Sequence, residues 1–203
     1  VNRSAYTLQD ITISVKEKSL VGIIGSVGSG KSSFLSSVLG EMCKSSGTFS
    51  VRKDAKFAFC DQRPWIVNAT VKENILFGLE YDEIRFNQAI YAACMDDDLK
   101  ILSDGVNTDI GERGINLSGG QKARVALARA LYADADIYLL DDPLSAVDAH
   151  VGQHIFSKCI KEALSAKTVL FVTHHVHVLS QCDQVIILED GKIKVSGTYS
   201  EIM

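Results

Sequence analysis

Proline is scarce in this chain, two in 203 residues, and no repeat or low-complexity tract occurs, which excludes collagen-like and proline-rich disordered classes. Cysteine is present but builds no framework. Cys43, Cys60, Cys94, Cys159 and Cys182 are odd in number and lack C-x-x-C spacing, so buried or free thiols in a reducing compartment are expected rather than disulfides or a zinc site. No apolar run approaches the roughly 18 residues of a bilayer-crossing helix; runs such as 137–140 and 185–188 are far shorter. A basic excess is also missing. With 21 basic against 25 acidic residues the formal charge is −4, which argues against a nucleic-acid binder, and any anionic ligand has to be held locally. The chain opens on Val1 with neither an initiator Met nor a signal-peptide pattern, and is expected to be a segment of something longer. What it has is an ordinary globular balance, 46% hydrophobic and 23% charged, enough for one domain or a domain with a small inserted lobe.

Short apolar runs alternate with helical patterns, which predicts an α/β fold with a mainly parallel core sheet. Residues 8–15 alternate apolar and polar, turn at Lys16, Glu17 and Lys18, and lead into the apolar run 20–24, as a hairpin strand feeding a buried central strand. Residues 49–51 and 56–60 read as two more strands. Val151, Ile155, Phe156, Cys159, Ile160, Ala163 and Leu164 recur at helical spacing ahead of a buried strand at 168–173. Residues 185–189 and 192–195 flank Asp190-Gly191, a dipeptide that favours a type I′ hairpin turn. From about residue 79 to 104 the strand signal disappears, and Ile84, Phe86, Ile90, Ala93 and Cys94 after an Asp82 N-cap predict helices. The stretch 79–117 is expected to form an inserted helical lobe. Arg52, Lys53 and the run Asp96, Asp97, Asp98 read as solvated surface.

The strongest chemical signal is Gly25-Ser26-Val27-Gly28-Ser29-Gly30-Lys31-Ser32, which satisfies G-x-x-x-x-G-K-[ST] between an apolar strand and a helical run that begins at Ser33. Glycines let the backbone curl so that successive N–H groups face one anion, and the helix N-terminus adds its positive dipole end. Lys31 then reaches the β- and γ-phosphates of a nucleotide, and Ser32 is a Mg²⁺ ligand. Such a loop needs a carboxylate across the site. Residues 137–142 offer an apolar strand ending in Asp141 and Asp142, with Asp141 the natural Mg²⁺ partner. Leu117-Ser118-Gly119-Gly120-Gln121, followed by Lys122, Arg124 and the helical run 125–131, forms a second phosphate-binding pattern. By spacing alone a plain N-cap accounts for it equally well. His150 and His154, and His175 and His177, lack the carboxylate or thiolate that would complete a zinc site by spacing.

Together, residues 25–32, 117–121 and 137–142 resemble the Walker A, signature and Walker B motifs of an ABC-type ATPase domain. Gln62-Arg63-Pro64-Trp65-Ile66, residues 70–78 and residues 141–152 are similar to the C subfamily, the multidrug-resistance-associated transporters, and to their first nucleotide-binding domain, over nearly the whole of 1–203. The resemblance implies the P-loop ABC-ATPase fold, with an antiparallel β subdomain beside the mainly parallel core sheet and an inserted helical lobe, and ATP and Mg²⁺ as cofactors. It makes Gln62 the Q-loop glutamine that meets Mg²⁺ and the water, His174 the switch histidine at the γ-phosphate, and Asp148 a D-loop residue that communicates across a dimer. It implies a second nucleotide-binding domain packed head to tail, so that residues 117–121 close on ATP held by the other domain's loop. Transmembrane domains would be met through residues 62–65, which include Gln62 and Trp65, and residues 108–114, which include Thr108 and Gly114. The assembly would sit at the cytosolic face of a membrane and drive export by ATP hydrolysis.

Two departures from the family pattern stand out. The catalytic base position, usually Glu, is Asp142, one methylene shorter, and a base must come within about 2.6–3.2 Å of its water. Tight binding with slow or absent turnover follows at the site built on this loop, and a regulatory ATP-binding switch that gates a membrane protein is the alternative. The aromatic residue on which the family stacks adenine falls just before Val1, with Tyr6 the only aromatic near it.

Overall fold

In the computed structural model, which describes residues 7–111 and 116–202, the chain runs β1 (Leu20–Gly25), α1 (Lys31–Leu39), β2 (Phe57–Cys60), β3 (Ala69–Thr70), α2 (Val71–Leu76), α3 (Glu83–Ala92), α4 (Asp96–Ile101), β4 (Asp109–Ile110), α5 (Gly119–Tyr132), β5 (Ile137–Asp141), α6 (Ala149–His154), β6 (Thr168–Val172), β7 (Gln184–Glu189), β8 (Lys192–Gly197) and α7 (Tyr199–Ile202). Six strands form one sheet in the order β2-β5-β6-β1-β7-β8, and β3 pairs β4 in a separate antiparallel ribbon. Within the large sheet every pairing is parallel except the β7–β8 hairpin. That hairpin turns through Asp190 and Gly191, both at positive φ (48° and 73°), as a type I′ turn requires.

Side chains of successive strand residues point to opposite faces, and here both faces are dry. Val21 and Ile23 of β1, Leu139 of β5, Leu170 and Val172 of β6, and Ile186 and Leu188 of β7 pack with Phe34 and Leu35 of α1. On the other face Tyr138, Leu140, Val169, Phe171 and Val185 pack against α5, α3 and the helical segment after α6. Unbroken apolar runs in the sequence are therefore strands sandwiched between helices. Helix starts follow local chemistry. The Asp82 carboxylate accepts from Arg85 N (2.8 Å) to cap α3, and Thr70 and Glu73 form a reciprocal capping box on α2.

Three expectations differ from the structure. Residues 8–15 alternate in burial, with Leu8, Ile11, Ile13 and Val15 packed over the α1-side core, but they belong to no strand ladder. Residues 49–51 are not a strand either, and Phe49 and Val51 are exposed. Alternation specifies which side faces a core; a ladder also needs a partner backbone at strand spacing, which only the tertiary fold supplies. The helix expected across 151–164 starts as α6 and then widens into a π-helix over Ile155–Ala163, so that Leu164 N reaches Cys159 O (3.0 Å).

Cys60, Cys159 and Cys182 are buried, Cys94 is half-buried and Cys43 is exposed. Burial pushes the Cys60 thiol up to about 12, with Asp61 adding to it, and the Cys182 thiol up to about 11; Cys159 rises for the same reason. Since the thiolate is the reactive form, a thiol reagent at mildly alkaline pH will modify Cys43 quickly and Cys60, Cys159 and Cys182 only after unfolding. Peptide mapping of the labelled chain, native against denatured, checks this.

Candidate functional site

Parallel strands deliver the chemistry to one edge of the sheet. β1 runs out into residues 25–32 and α1, β5 ends at Asp141 with Asp142 next, β6 is followed by Thr173 and His174, and Gln62 lies just past β2. Val27, Gly28, Gly30, Lys31, Ser32, Ser33, Gln62, Asp141, Asp142 and His174 line a single cavity of about 230 Å³, with Thr7 at its wall. This is the position, outside strand carboxyl ends, where open parallel sheets bind ligands.

The loop is tied to itself and clamped from outside. Lys31 Nζ donates to Gly25 O and Ser26 O, each at 2.9 Å, and Ser29 N donates to Ser26 O at 3.1 Å. A side chain at Gly25 would run into the Leu188 carbonyl and the Ser29 hydroxyl, so the loop lies close on β7. From the hairpin turn, Gly191 N donates to Ser29 O (3.0 Å) while Gly191 O accepts from Gln9 N (2.9 Å). A Cβ at Gly191 would strike the Thr7 carbonyl, and its φ of 73° already favours glycine. No side chain caps α1, whose N-cap is Gly30, so the first turn's N–H groups are left to a ligand at the positive end of the helix.

Opposite the loop, the Ser32 hydroxyl shares the cavity with the Asp141 carboxylate and favours its charged form. Burial is the largest influence on Asp141 and raises its carboxyl above the usual range; Ser32 opposes this, Asp61 and Asp142 add to it, and Lys31 opposes it. A hydroxyl and a desolvated carboxylate are hard oxygen donors, and the pair suits Mg²⁺. Asp142 is buried at a left-handed φ of 50°. Its N–H donates to Val172 O (3.0 Å), and its carbonyl accepts from Ser145 N (3.1 Å) and Ser145 Oγ (2.8 Å). One carboxylate oxygen lies 3.8 Å from His174 Nε2, beyond a direct hydrogen bond, and the other, though buried, has no partner among the described residues. A buried acceptor left bare is costly, and this one borders the cavity, where a ligand or water donor would satisfy it. His174 is set in place by buried Thr173, whose N–H donates to Ile23 O (3.1 Å) and whose hydroxyl accepts from His175 N (3.0 Å). His175 and His177 meet edge to face at 5.6 Å, and among the described residues no metal-holding group of three ligands is found.

The family model described as "ABC transporter" matches residues 8–145, a span that carries the loop, Gln62, the 117–121 motif and both acids. The chain belongs to the ABC transporter family. It is 50% identical over 199 residues to ATP-binding cassette sub-family C member 2 of Mus musculus, 49% over 199 residues to multidrug resistance protein mrp-7 of Caenorhabditis elegans, and 49% over 197 residues to ATP-binding cassette sub-family C member 4 of Homo sapiens. Each match covers 97% of this chain but only 13–15% of the relative's length. The chain is an ATP-binding domain of the C-subfamily ABC type.

The 117–121 motif stands apart from the cavity: Leu117, Ser118, Gly119, Gly120 and Gln121 are not in its walls. Ser118 caps α5, its hydroxyl accepting from Gln121 N (3.2 Å) while Gln121 Oε1 accepts from Ser118 N (2.9 Å). Asp148 is exposed and caps α6, accepting from His150 N and Val151 N (2.9 and 3.0 Å). Thr108 receives Asp104 N on its hydroxyl (3.0 Å); residues 112–114 and Tyr6 lie outside the described residues.

The acidic run corrects the sequence reading. Asp98 is not solvated surface: it is paired with Arg124 of α5, because successive helix residues turn by about 100° and carry it to a different face from Asp97. Arg129, too, carries no signal in the local sequence. Its guanidinium lies 3.7 Å from the Trp65 ring centroid and donates to Asn74 O (2.7 Å), Asn74 Oδ1 (3.0 Å) and Trp65 O (3.2 Å), and burial pushes its pKa down to about 10. Ser145, which pins Asp142, had no signal beyond its place three residues on.

A raised folded pKa means that Asp141 contributes stability below the ordinary carboxylate range and loses it as pH rises through the folded value. At neutral pH its charge therefore burdens the nucleotide-free fold. Asp141→Asn will raise the nucleotide-free thermal midpoint by about 2–4 °C and abolish the Mg²⁺-dependent gain in ATP affinity. Thermal scans and ATP titrations with and without Mg²⁺ test both; a lowered midpoint would contradict the burial effect.

Proposed function

We propose that the chain is the first of two nucleotide-binding domains in a membrane exporter, working at the cytosolic face of a membrane and pairing head to tail with the second. Residues 1–203 form that one domain, with 79–117 as its helical lobe. The observation that carries this reading is the separation just described: the loop, Gln62, Asp141, Asp142 and His174 converge on one cavity, while the start of α5 lies outside it. A helix start with Ser118 and Gly119 exposed is placed to serve a nucleotide held elsewhere, on a partner domain.

In this reading, residues 25–33 and the Lys31 ammonium hold the phosphates, with Ser32, Asp141 and Gln62 as the Mg²⁺ ligands. Mg²⁺ held there would supply positive charge to offset what develops on the transferring phosphoryl group. His174 contacts the γ-phosphate, and Asp142 takes the proton of the attacking water as the terminal phosphoryl group passes to that water. Asp142 is poorly equipped for this. Its backbone is pinned on both sides by Val172 and Ser145 and its side chain is one methylene short of Glu, so it lacks the freedom to close on the water. The site holds ATP and turns it over slowly. The same pinning favours the second reading, a regulatory ATP switch in which the nucleotide acts as an interfacial clamp.

Docking to transmembrane domains through residues 62–65 is supported by the surface beside Gln62. Trp65 and Phe77 are half-exposed and meet edge to face at 5.0 Å, with the Arg129 guanidinium stacked over the Trp65 ring, so the pair offers a partly exposed apolar surface. The second docking segment, 108–114, is proposed on its resemblance alone. Among the described residues no helix is long and apolar enough to cross a membrane, so membrane attachment in this reading comes from the partner domains.

The test is Mg²⁺-ATP binding and turnover over a protein concentration series for the native chain, Asp142→Glu and Lys31→Ala. The native chain will bind ATP and be nearly silent, Asp142→Glu will gain about tenfold or more in concentration-dependent turnover, and Lys31→Ala will lose binding. Equal turnover of native and Asp142→Glu would sink the slow-site reading. Binding without turnover in both would mean that missing partner surfaces limit the reaction, and the same comparison then moves to the full transporter.

A further inference from the structure

Neighbours in the acidic run of α4 have opposite fates. Asp97 is almost fully solvated and meets Lys100 at 2.7 Å, whereas the side chains of Asp98 and Arg124 are each only 12% exposed. Asp98 Oδ2 accepts from Arg124 Nε at 2.6 Å, and Oδ1 accepts from Arg124 Nη2 at 2.7 Å and from Gln121 Nε2 at 3.2 Å. This is the two-pronged pairing that a guanidinium and a carboxylate make best, formed between elements more than twenty residues apart in sequence.

Both of its partners touch the signature. A carboxylate can only accept, so Asp98 dictates that the nitrogen end of the Gln121 amide faces it. The oxygen end is thereby directed at Ser118 N, where it closes the capping box at 2.9 Å. Arg124 Nη1 stands 3.4 Å from the point where Gly120 would carry a Cβ, and the Ala146 carbonyl stands 2.8 Å from the same point, so the glycine is wedged between the guanidinium and the segment leading to Asp148.

We infer that Asp98 is a positioning residue for the signature loop: through Arg124 and Gln121 it fixes the orientation in which Ser118, Gly119 and Gly120 present the start of α5 to a nucleotide on the partner domain. The inference rests on the head-to-tail reading proposed above. Without Asp98, Arg124 becomes a largely buried cation that has lost its carboxylate partner beside the signature glycines, and the Gln121 amide is free to turn its nitrogen toward the Ser118 N–H. α4 and α5 also lose the ion pair that ties them to each other. The cavity built on residues 25–32 contains none of these groups and is untouched.

The experiment is amide hydrogen exchange on the full-length protein that carries this chain, with and without Mg²⁺-ATP as the probe. In the native protein the probe will slow exchange at residues 25–32 and at residues 118–121. In Asp98→Ala the slowing at 118–121 will fall about tenfold while that at 25–32 stays within about twofold of native, the size of effect that loss of precise placement produces. Asp98→Asn keeps an acceptor for Gln121 but no charge for Arg124, and will fall between the two. Asp98→Ala combined with Arg124→Met will be no worse than Asp98→Ala alone, because the two residues act as one unit. Native slowing at 118–121 in Asp98→Ala overturns the inference. So does loss of slowing at both segments in Asp98→Ala and Asp98→Asn, which would make the pair a brace for the whole fold. A native protein with slowing at neither segment overturns the nucleotide reading itself, and one with slowing only at 25–32 overturns the head-to-tail reading.

Discussion

The parallel register of three strands fixes this domain's chemistry. Val172 of β6 stands opposite Ile23 of β1 on one side and opposite Asp141 of β5 on the other. Gly25, two residues past Ile23, and Asp141 are thereby held at the same edge of the sheet, and Thr173 emerges between them with His174 behind it. A slip of one residue would reverse every side chain of a strand that is buried on both faces, so the hydrophobic core itself enforces the alignment of Lys31, Asp141, Asp142 and His174.

That enforcement makes the ligand-free cavity electrostatically uneasy. Two adjacent carboxylates are buried in its lining, Asp141 above its ordinary pKa and Asp142 with an oxygen that has no partner among the described residues, while Lys31 is turned onto the carbonyls of its own loop. Each group could be satisfied more cheaply by solvent. Their arrangement makes sense as preorganisation for a polyanion and a divalent cation, which would draw Lys31 and the α1 N-terminus to phosphate and relieve the acids with positive charge. The fold gives up stability at this edge and recovers it in the apolar layers on either face of the sheet.

α5 connects this edge to the rest of the domain. Its first turn carries the Ser118–Gln121 capping box locked by Asp98 and Arg124, and near its last turn Arg129 grips the main chain of Trp65 and Asn74. A 14-residue helix spans about 21 Å. It is therefore a rigid rod between the surface proposed above to meet a partner domain and the aromatic pair that includes Trp65, and both ends are fastened by arginine forks rather than by apolar contact alone.

Much of this was legible in the sequence, because the signals concerned are local. The glycine pattern before Lys31-Ser32, the apolar run ending in Asp141-Asp142, the Ser118 cap and the Asp190-Gly191 turn each express short-range backbone chemistry that needs no knowledge of distant residues. Strand and helix periods likewise gave the α/β class and placed the helices after Asp82. What the tertiary structure alone decided are the matters that depend on partners far along the chain. The alternation of residues 8–15 could not say whether a ladder partner exists, helical spacing at 155–163 could not distinguish α from π winding, and a run of three aspartates could not reveal that Asp98 turns inward to Arg124. Nor could any local pattern show that Gly191 clamps the phosphate loop or that Arg129 holds Trp65. Local sequence sets which conformations a segment favours, whereas burial, ion pairing and clamping are properties of the neighbour that folding brings to it.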